Sequence, residues 1–168
     1  KTIVAILVTA LAVGNNVQVA IMVPTEVLAR QHYDSFKLQL DKANISCELI
    51  IGSMKKNERS NILAGLEDGS ISVIIGTHAL IQKDVFFNNL GLVVIDEQHR
   101  FGVNQRANLI EKGENPHCLA MTATPIPRTL SITYYGDMDI SIIDELPLNR
   151  IPVVTRVVEP GRLSKVYD

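Results

Sequence analysis

The sequence has little of what marks several large protein classes. It contains no tryptophan and two cysteines, Cys47 and Cys118, without a C-x-x-C pair, so neither a disulfide framework nor a cysteine zinc site is indicated. Its longest apolar run, residues 3–13, covers 11 positions, fewer than the roughly 18 that suggest a membrane span. We therefore expect core thiols in a reducing cytoplasm and no membrane partner.

A basic excess is also missing, because Lys and Arg number 16 against 18 Asp and Glu, a net charge of −2. Nucleic acid could then bind only through local geometry. The apolar content of 46% and the charged content of 20% are those of an ordinary globular domain. The chain begins at Lys1, without Met and directly in an apolar helical stretch, so we expect it to be an internal piece of a longer protein.

Helical and strand patterns alternate along the chain and predict an α/β fold. Thr25 is the predicted cap of a long helix, and no charged residue occurs from Thr2 to Thr25, as expected for a helix and a strand that are both fully buried. Strands separated by helices imply right-handed crossovers, a mostly parallel central sheet and ligands at the carboxyl ends of the strands. The predicted helices cover residues 1–13, 26–42, 55–66, 105–112 and a segment from 127, and the predicted strands cover 17–23, 45–51, 71–75, 92–95, 118–122 and 140–143.

Residues 146–152 break this alternation, because two prolines bracket polar residues there. We interpret the segment as a linker, so that residues 1–145 form a first domain. Residues 153–158 alternate like a strand whose partners would lie in a second domain. Residues 146–168 are therefore predicted to be the linker and the start of that second domain.

Two carboxylates follow the buried strand at residues 92–95. In a nucleoside triphosphatase, the first carboxylate of such a pair, here Asp96, holds Mg²⁺, and the second, Glu97, polarises the attacking water. For these residues alone, two alternatives stay open. The pair could begin a helix, where negative charge is favourable with the helix dipole, or Asp96 and His99 could bind a metal.

The dipeptide Lys1-Thr2 favours the interpretation of Asp96 and Glu97 as the carboxylates of a nucleoside triphosphatase. A phosphate-binding loop reads G-x-x-x-x-G-K-[ST], with its lysine and hydroxyl at the start of a helix. Only the last two letters of that pattern are present, 95 residues before Asp96. On this interpretation, Lys1 neutralises the β- and γ-phosphates of ATP, and Thr2 holds Mg²⁺ together with Asp96.

Two longer segments, D-E-Q-H-R-F-G at 96–102 and M-T-A-T-P-I-P-R-T-L at 121–130, resemble motifs II and III of superfamily 2 helicases. With G-D-M-D at 136–139 and I-D-E-L-P at 143–147, they are similar to the RecG-type branched-DNA helicases. The transcription-repair coupling translocases for double-stranded DNA share much of this motor, but Gln98 and the D-E-L-P segment resemble the RecG type more. The resemblance implies a RecA-like P-loop NTPase fold, a three-layer sandwich, as the first motor domain of an ATP-dependent DNA helicase that remodels branched DNA in recombination and repair.

The same resemblance implies roles for individual residues. Glu97, Asp96, Gln98 and His99 are assigned to ATP hydrolysis, with Gln98 and His99 sensing the γ-phosphate. Backbone N–H groups and hydroxyls at helix starts would bind DNA phosphates, which needs no large basic patch. The implied DNA-binding residues are Pro24, Thr25, Gly52, Ser53, Gly76, Thr77 and His78, and the implied coupling residues are Thr122, Ala123, Thr124 and Arg128.

The implied partners are branched or forked DNA, a second RecA-like domain and a DNA-recognition domain of the same parent chain. Because those domains and the glycines of the phosphate-binding loop lie outside this sequence, we expect the isolated chain to be inactive. Two alternatives remain. One is a nucleic-acid-binding module with the same fold but without hydrolysis, and the other is a P-loop kinase, which leaves segments 76–78 and 122–124 unexplained.

Overall fold

A computed structural model describes residues 1–124, 138–145, 153, 155 and 157. Within these residues, helices and strands follow each other nearly as the sequence predicts. The helices are α1 (Thr2–Gly14), α2 (Glu26–Leu40), α3 (Lys56–Glu67) and α4 (Val103–Ile110), and the strands are β1 (Gln18–Met22), β2 (Cys47–Ile50), β3 (Val73–Gly76), β4 (Leu90–Ile95) and β5 (His117–Ala120). Short 3-10 turns cover residues 41–43, 78–81 and 98–100.

The five strands form one sheet in the order β2-β3-β1-β4-β5, and every neighbouring pair is parallel. All five residues of β1 are buried, as expected for a central strand. Met22 at the end of β1 is paired with Gly76 of β3 and with Ile95 of β4. The predicted α/β fold with a mostly parallel sheet is confirmed.

The helices cover the two faces of the sheet and give three layers. On one face, Ala5 of α1 and Phe36 of α2 pack with Val19 and Ile21 of β1. On the other face, α3 contributes Ile62 and Leu66 and α4 contributes Leu109 to a second apolar cluster. Alternate residues of the central strands therefore belong to different clusters, as the two-residue period of a strand requires.

The prediction that α1 is buried on all sides is wrong. Ala5, Ile6 and Thr9 are buried against the sheet and α2, but Leu7 and Leu11 are 63% and 68% exposed. A helix that lies on a sheet buries one stripe only, and nothing in the described part of the chain covers the opposite side of α1. An uncharged helix sequence predicts burial, but it does not identify which other element packs against each side of the helix.

The contacts divide the chain into two units, residues 1–125 and 126–168, and every helix and strand named above lies in the first. The predicted strand at 140–143 is wrong, because the described residues 138–145 form neither helix nor strand, and no strand of the described chain pairs with them. The helix predicted from residue 127 and the linker at 146–152 lie outside the described residues, so the domain boundary at 145 stays a prediction. Where the chain is described, none of its helices combines the length and apolarity needed to cross a bilayer.

Candidate functional site

Most of the predicted site residues meet at the carboxyl edge of the sheet, which we define as the strand ends and the loops after them. Since all five strands are parallel, these ends lie along one edge. The edge carries Pro24 and Thr25 after β1, Gly52 and Ser53 after β2, Gly76 and Thr77 at the end of β3, Asp96 and Glu97 after β4, and Thr122, Ala123 and Thr124 after β5. Arg128 lies outside the described residues.

Asp96 is held by three hydrogen bonds directly after β4. Its backbone N–H donates to the carbonyl of Met22 at 3.0 Å, which continues the pairing of β4 with β1. Its Oδ1 accepts from the backbone N–H of Glu97 at 3.0 Å, and its Oδ2 lies 2.9 Å from Nε2 of His32. The carboxylate therefore has a fixed orientation before any ligand binds.

The pKa of Asp96 lies below its ordinary value, mainly because of the His32 hydrogen bond. Burial of the side chain opposes this shift, whereas the N–H of Glu97 and the positive charge of Lys1 add to it. Asp96 is thus an ionised carboxylate at neutral pH and is available to a cation.

Glu97 has a left-handed backbone conformation, with φ 50° and ψ 47°. A residue with a Cβ atom is strained in this region by about 1–2 kcal/mol. Such strain persists where the surrounding structure fixes the residue, often at functional sites. In this conformation, Oε2 of the Glu97 side chain lies 3.4 Å from Nδ1 of His99.

The residues after Glu97 are bonded to the loop after β5. The backbone N–H of Gln98 donates to the carbonyl of Met121 at 3.3 Å, and Nδ1 of His99 lies 3.4 Å from the hydroxyl of Thr122. The Thr122 hydroxyl also accepts from the backbone N–H of Thr124 at 3.2 Å. The predicted catalytic and coupling segments are therefore in direct contact.

Lys1 reaches the same place from the start of α1. Its Nζ donates to the carbonyl of Thr122 at 2.6 Å. Lys1, Asp96 and the loop after β5 therefore surround one location, although they come from three different parts of the sequence. Thr2 is the exposed first residue of α1, beside Lys1.

The start of α2 forms the other half of the edge. Thr25 caps the helix, because its side chain accepts from the backbone N–H of Leu28 at 3.3 Å. The Glu26 carboxylate accepts from the backbone N–H of Ser53 at 3.1 Å and from its hydroxyl at 2.6 Å. These bonds lower the pKa of Glu26, the side-chain bond from Ser53 being the largest cause. Both Ser53 donors predicted to contact DNA are thus already bonded to Glu26.

The glycine at the end of β3 has a packing role in addition to its predicted contact with DNA. A Cβ atom on Gly76 would lie 2.5 Å from the carbonyl oxygen of Ile50, so only glycine fits there without a shift of β2. Thr77 is buried, and within the described part of the chain its hydroxyl has no hydrogen-bond partner. His78 is exposed at the edge.

Sequence reasoning gave no role to two side chains in this site. His32 carries no motif signal, yet α2 positions it on Asp96. Arg106 of α4 donates from Nη1 to Oε1 of the buried Gln98 at 3.4 Å. Both contacts join residues from different elements, so no local spacing in the sequence indicates them.

Residues 1–132 match the DEAD/DEAH box helicase family. The chain belongs to this family. It is also similar to proteins named ATP-dependent DNA helicase RecG, with 52% identity to that of Aquifex aeolicus and 53% to that of Streptococcus pneumoniae, each over 99% of this chain. It spans 21% and 24% of those relatives, so they are several times longer. The resemblance to RecG-type helicases is confirmed.

Solved structures of helicases have the same fold as this DEAD/DEAH box chain. A structure of RecG bound to a three-way DNA junction is similar with a TM-score of 0.71 and 48% identity, over 90% of this chain and 20% of that one. The DNA-bound DUF1998 helicase MrfA has a TM-score of 0.63 at 18% identity, over 81% of this chain and 20% of that one, which supports the fold alone. The predicted RecA-like three-layer sandwich is confirmed.

Proposed function

We propose that this chain is the first RecA-like motor domain of a longer ATP-dependent DNA helicase that remodels branched DNA in recombination and repair. The observation that carries the proposal is that Lys1, bonded to the loop after β5, lies at the same edge of a parallel sheet as Asp96 and Glu97, where nucleotide phosphates bind in such folds. The RecG relatives, one of them solved on a three-way DNA junction, support the choice of substrate. A location in the bacterial cytoplasm, where such proteins meet the chromosome, is part of the same proposal.

The residues present fit a divalent cation held together with a nucleotide. Mg²⁺ is usually bound by one or two carboxylates plus substrate phosphates and water. Asp96 keeps a free lone pair on each oxygen after its two side-chain hydrogen bonds, and the described residues contain no cluster of three or more His, Cys, Asp or Glu that would form an all-protein cage. Asp96 and the Thr2 hydroxyl would hold Mg²⁺, which when bound neutralises charge on the β- and γ-phosphates of ATP.

Glu97 and Lys1 have separate tasks in this proposal. Glu97 accepts a proton from the attacking water, and its carboxylate lies beside the His99 ring at 3.4 Å. Lys1 gives up its bond to the Thr122 carbonyl and places its ammonium on the phosphates. Gln98 and His99 sense the γ-phosphate in this proposal. Because their segment is hydrogen-bonded to the loop after β5, they relay the loss of that phosphate to this loop.

The other half of the edge binds DNA phosphates in this proposal. Thr25, Thr77 and His78 offer donors at helix or turn starts, where the helix dipole favours an anion. Pro24, Gly52 and Gly76 flank these donors at the ends of β1, β2 and β3, and Ser53 contributes when its bonds to Glu26 open. The residues that couple the nucleotide-binding half of the edge to the DNA-binding half are Thr122, Ala123, Thr124 and Arg128.

A hydrolysis assay on the full-length protein tests this function. Phosphate release is measured with forked DNA, linear duplex and single strands, each at saturating concentration. We expect the strongest stimulation with forked DNA. Equal stimulation by linear duplex would instead favour the double-stranded DNA translocase, and DNA binding without stimulated hydrolysis would favour the non-hydrolysing module.

A further inference from the structure

His32 is a buried polar side chain whose only described partner is Asp96. Its Nε2 lies 2.9 Å from Asp96 Oδ2, and its ring is tilted against that of Phe36 with centroids 6.1 Å apart. An ionised carboxylate accepts hydrogen bonds but cannot donate them, so Nε2 carries the proton and is the donor. The ring contact and the helix backbone keep this N–H aimed at the carboxylate.

The second ring nitrogen makes a histidine a costly choice for this position. Nδ1 is buried and has no hydrogen-bond partner within the described residues. Leaving a buried polar atom without a hydrogen bond is destabilising, and an apolar side chain would avoid that cost. The hydrogen bond from Nε2 to Asp96 offsets this cost. It also holds the Asp96 carboxylate in one orientation.

Helix α2 carries His32 at one point and the candidate DNA edge at another. Thr25 caps the helix, and Glu26 in its first turn bonds the backbone and side chain of Ser53. His32 follows Glu26 by six residues, which is about 9 Å along a helix axis. The helix backbone therefore connects a phosphate contact at the first turn of α2 with the side chain that is bonded to Asp96.

We propose that His32 is a positioning residue for the Asp96 carboxylate, through which helix α2 transmits DNA binding at its first turn to the divalent cation site. This inference rests on the proposed function, because it takes Asp96 as a cation ligand and the start of α2 as a DNA contact. Nothing else in the described chain joins α2 to Asp96 by a side-chain hydrogen bond.

The test measures metal binding without turnover in the full-length protein. Mn²⁺ is titrated by electron paramagnetic resonance in the presence of a non-hydrolysable ATP analogue, with and without forked DNA. His32→Phe keeps an aromatic ring but removes the donor, whereas His32→Gln keeps an N–H that can reach Asp96. His117→Phe is the matched control, because His117 is exposed at the amino end of β5, opposite the edge that carries Asp96.

We expect His32→Phe to weaken Mn²⁺ binding about tenfold or more, the usual loss when the partner of a metal ligand is removed. His32→Gln and His117→Phe should bind Mn²⁺ like the wild type. Forked DNA should change the Mn²⁺ affinity of the wild type and of His32→Gln, but not that of His32→Phe.

Two results would overturn the inference: unchanged Mn²⁺ affinity and DNA response in a folded His32→Phe variant, or a folded His32→Gln variant that is as defective as His32→Phe. Thermal unfolding of each variant identifies a folding defect, and His32→Leu, which is close to histidine in volume and has no hydrogen-bond donor, replaces a His32→Phe variant that does not fold. A wild-type protein that binds no Mn²⁺ with the nucleotide analogue would instead contradict the proposed function itself.

Discussion

Asp96 and Glu97 are adjacent carboxylates with different surroundings. Asp96 is fixed by His32 and by the N–H of Glu97, and these bonds keep it ionised. Glu97 is directed by a left-handed backbone, and its Oε2 lies 3.4 Å from Nδ1 of His99. A fixed anion is suited to hold a cation, and a carboxylate on a bent turn is suited to orient water.

These roles predict different defects in the full-length protein. Glu97→Gln should leave ATP binding largely intact and slow hydrolysis by about 10² or more, because water activation is lost but the nucleotide contacts are not. Asp96→Ala should instead weaken the Mg²⁺–ATP complex and leave the His32 donor without its acceptor. Nucleotide affinity and single-turnover hydrolysis are measured for both variants. Equal losses of nucleotide affinity would contradict the separate roles.

The sequence indicates which residues form this site better than how they are held. Asp96, Glu97 and Lys1 are predictable from residue type and from their places at element ends. The contact of His32 with Asp96 joins residues 64 positions apart, and it depends on how α2, which packs on β2 and β3, reaches the residue after β4. The left-handed turn at Glu97 is also unpredictable locally, because glutamate has no preference for that conformation.

The strands and helices themselves are predictable to within a few residues, since periods of two and of about 3.6 are clear in the sequence. The two wrong predictions concern α1 and residues 140–143, and both depend on which other segments contact these residues. The sequence of α1 is apolar all round, but one side of it is uncovered in the described chain. The segment 140–143 is rich in isoleucine like a strand, but a strand forms only where a partner supplies its hydrogen bonds.

Gly76 has an observed role in strand packing and a predicted role in DNA binding. It is predicted to contact DNA, and it also allows β3 to approach the carbonyl of Ile50 in β2. In the full-length protein, Gly76→Ala should destabilise the β2-β3 pair by about 1–3 kcal/mol through overpacking. Hydrogen exchange of the β2 and β3 amides measures this effect.

Gly14→Ala is the matched control for that variant. A Cβ atom on Gly14, the last residue of α1, meets nothing within 4 Å, so β2 and β3 should exchange as in the wild type. If Gly76→Ala also exchanges like the wild type but loses DNA affinity, the DNA contact is the main reason for this glycine and the packing role is wrong.

The loop after β5 links the predicted catalytic segment to the rest of the edge. Thr122 bonds His99 and Thr124 through its hydroxyl. Replacing Thr122 and Thr124 together by Ala should leave most of the ATP hydrolysis but abolish the unwinding of forked DNA, because the hydroxyl bonds that join this loop to His99 are lost. Hydrolysis and unwinding of forked DNA are measured in the same reaction. Unchanged unwinding per ATP would remove the coupling role.

For the whole molecule, the handedness of the crossovers indicates on which side of β1 a strand leading into α1 would lie. The crossover from β1 through α2 runs to β2, toward one edge of the sheet. Helix α1 lies on the same face as α2 and leads into β1, and right-handed crossovers on one face run in the same direction. A strand before α1 must then lie on the other side of β1, where β4 and β5 hold the first two places.

We therefore predict that, in the full-length protein, the residues before Lys1 form a strand parallel to β5. The bond from Lys1 Nζ to the Thr122 carbonyl already holds the start of α1 beside the end of β5. In the described chain β5 is an edge strand, and an edge strand leaves alternate backbone N–H groups unpaired. Hydrogen exchange of the full-length protein should therefore find all amides of β5 as slow as those of the central β1. Fast exchange at alternate β5 amides, with β1 protected, would mean that the preceding strand pairs elsewhere and that the crossover through α1 is not right-handed.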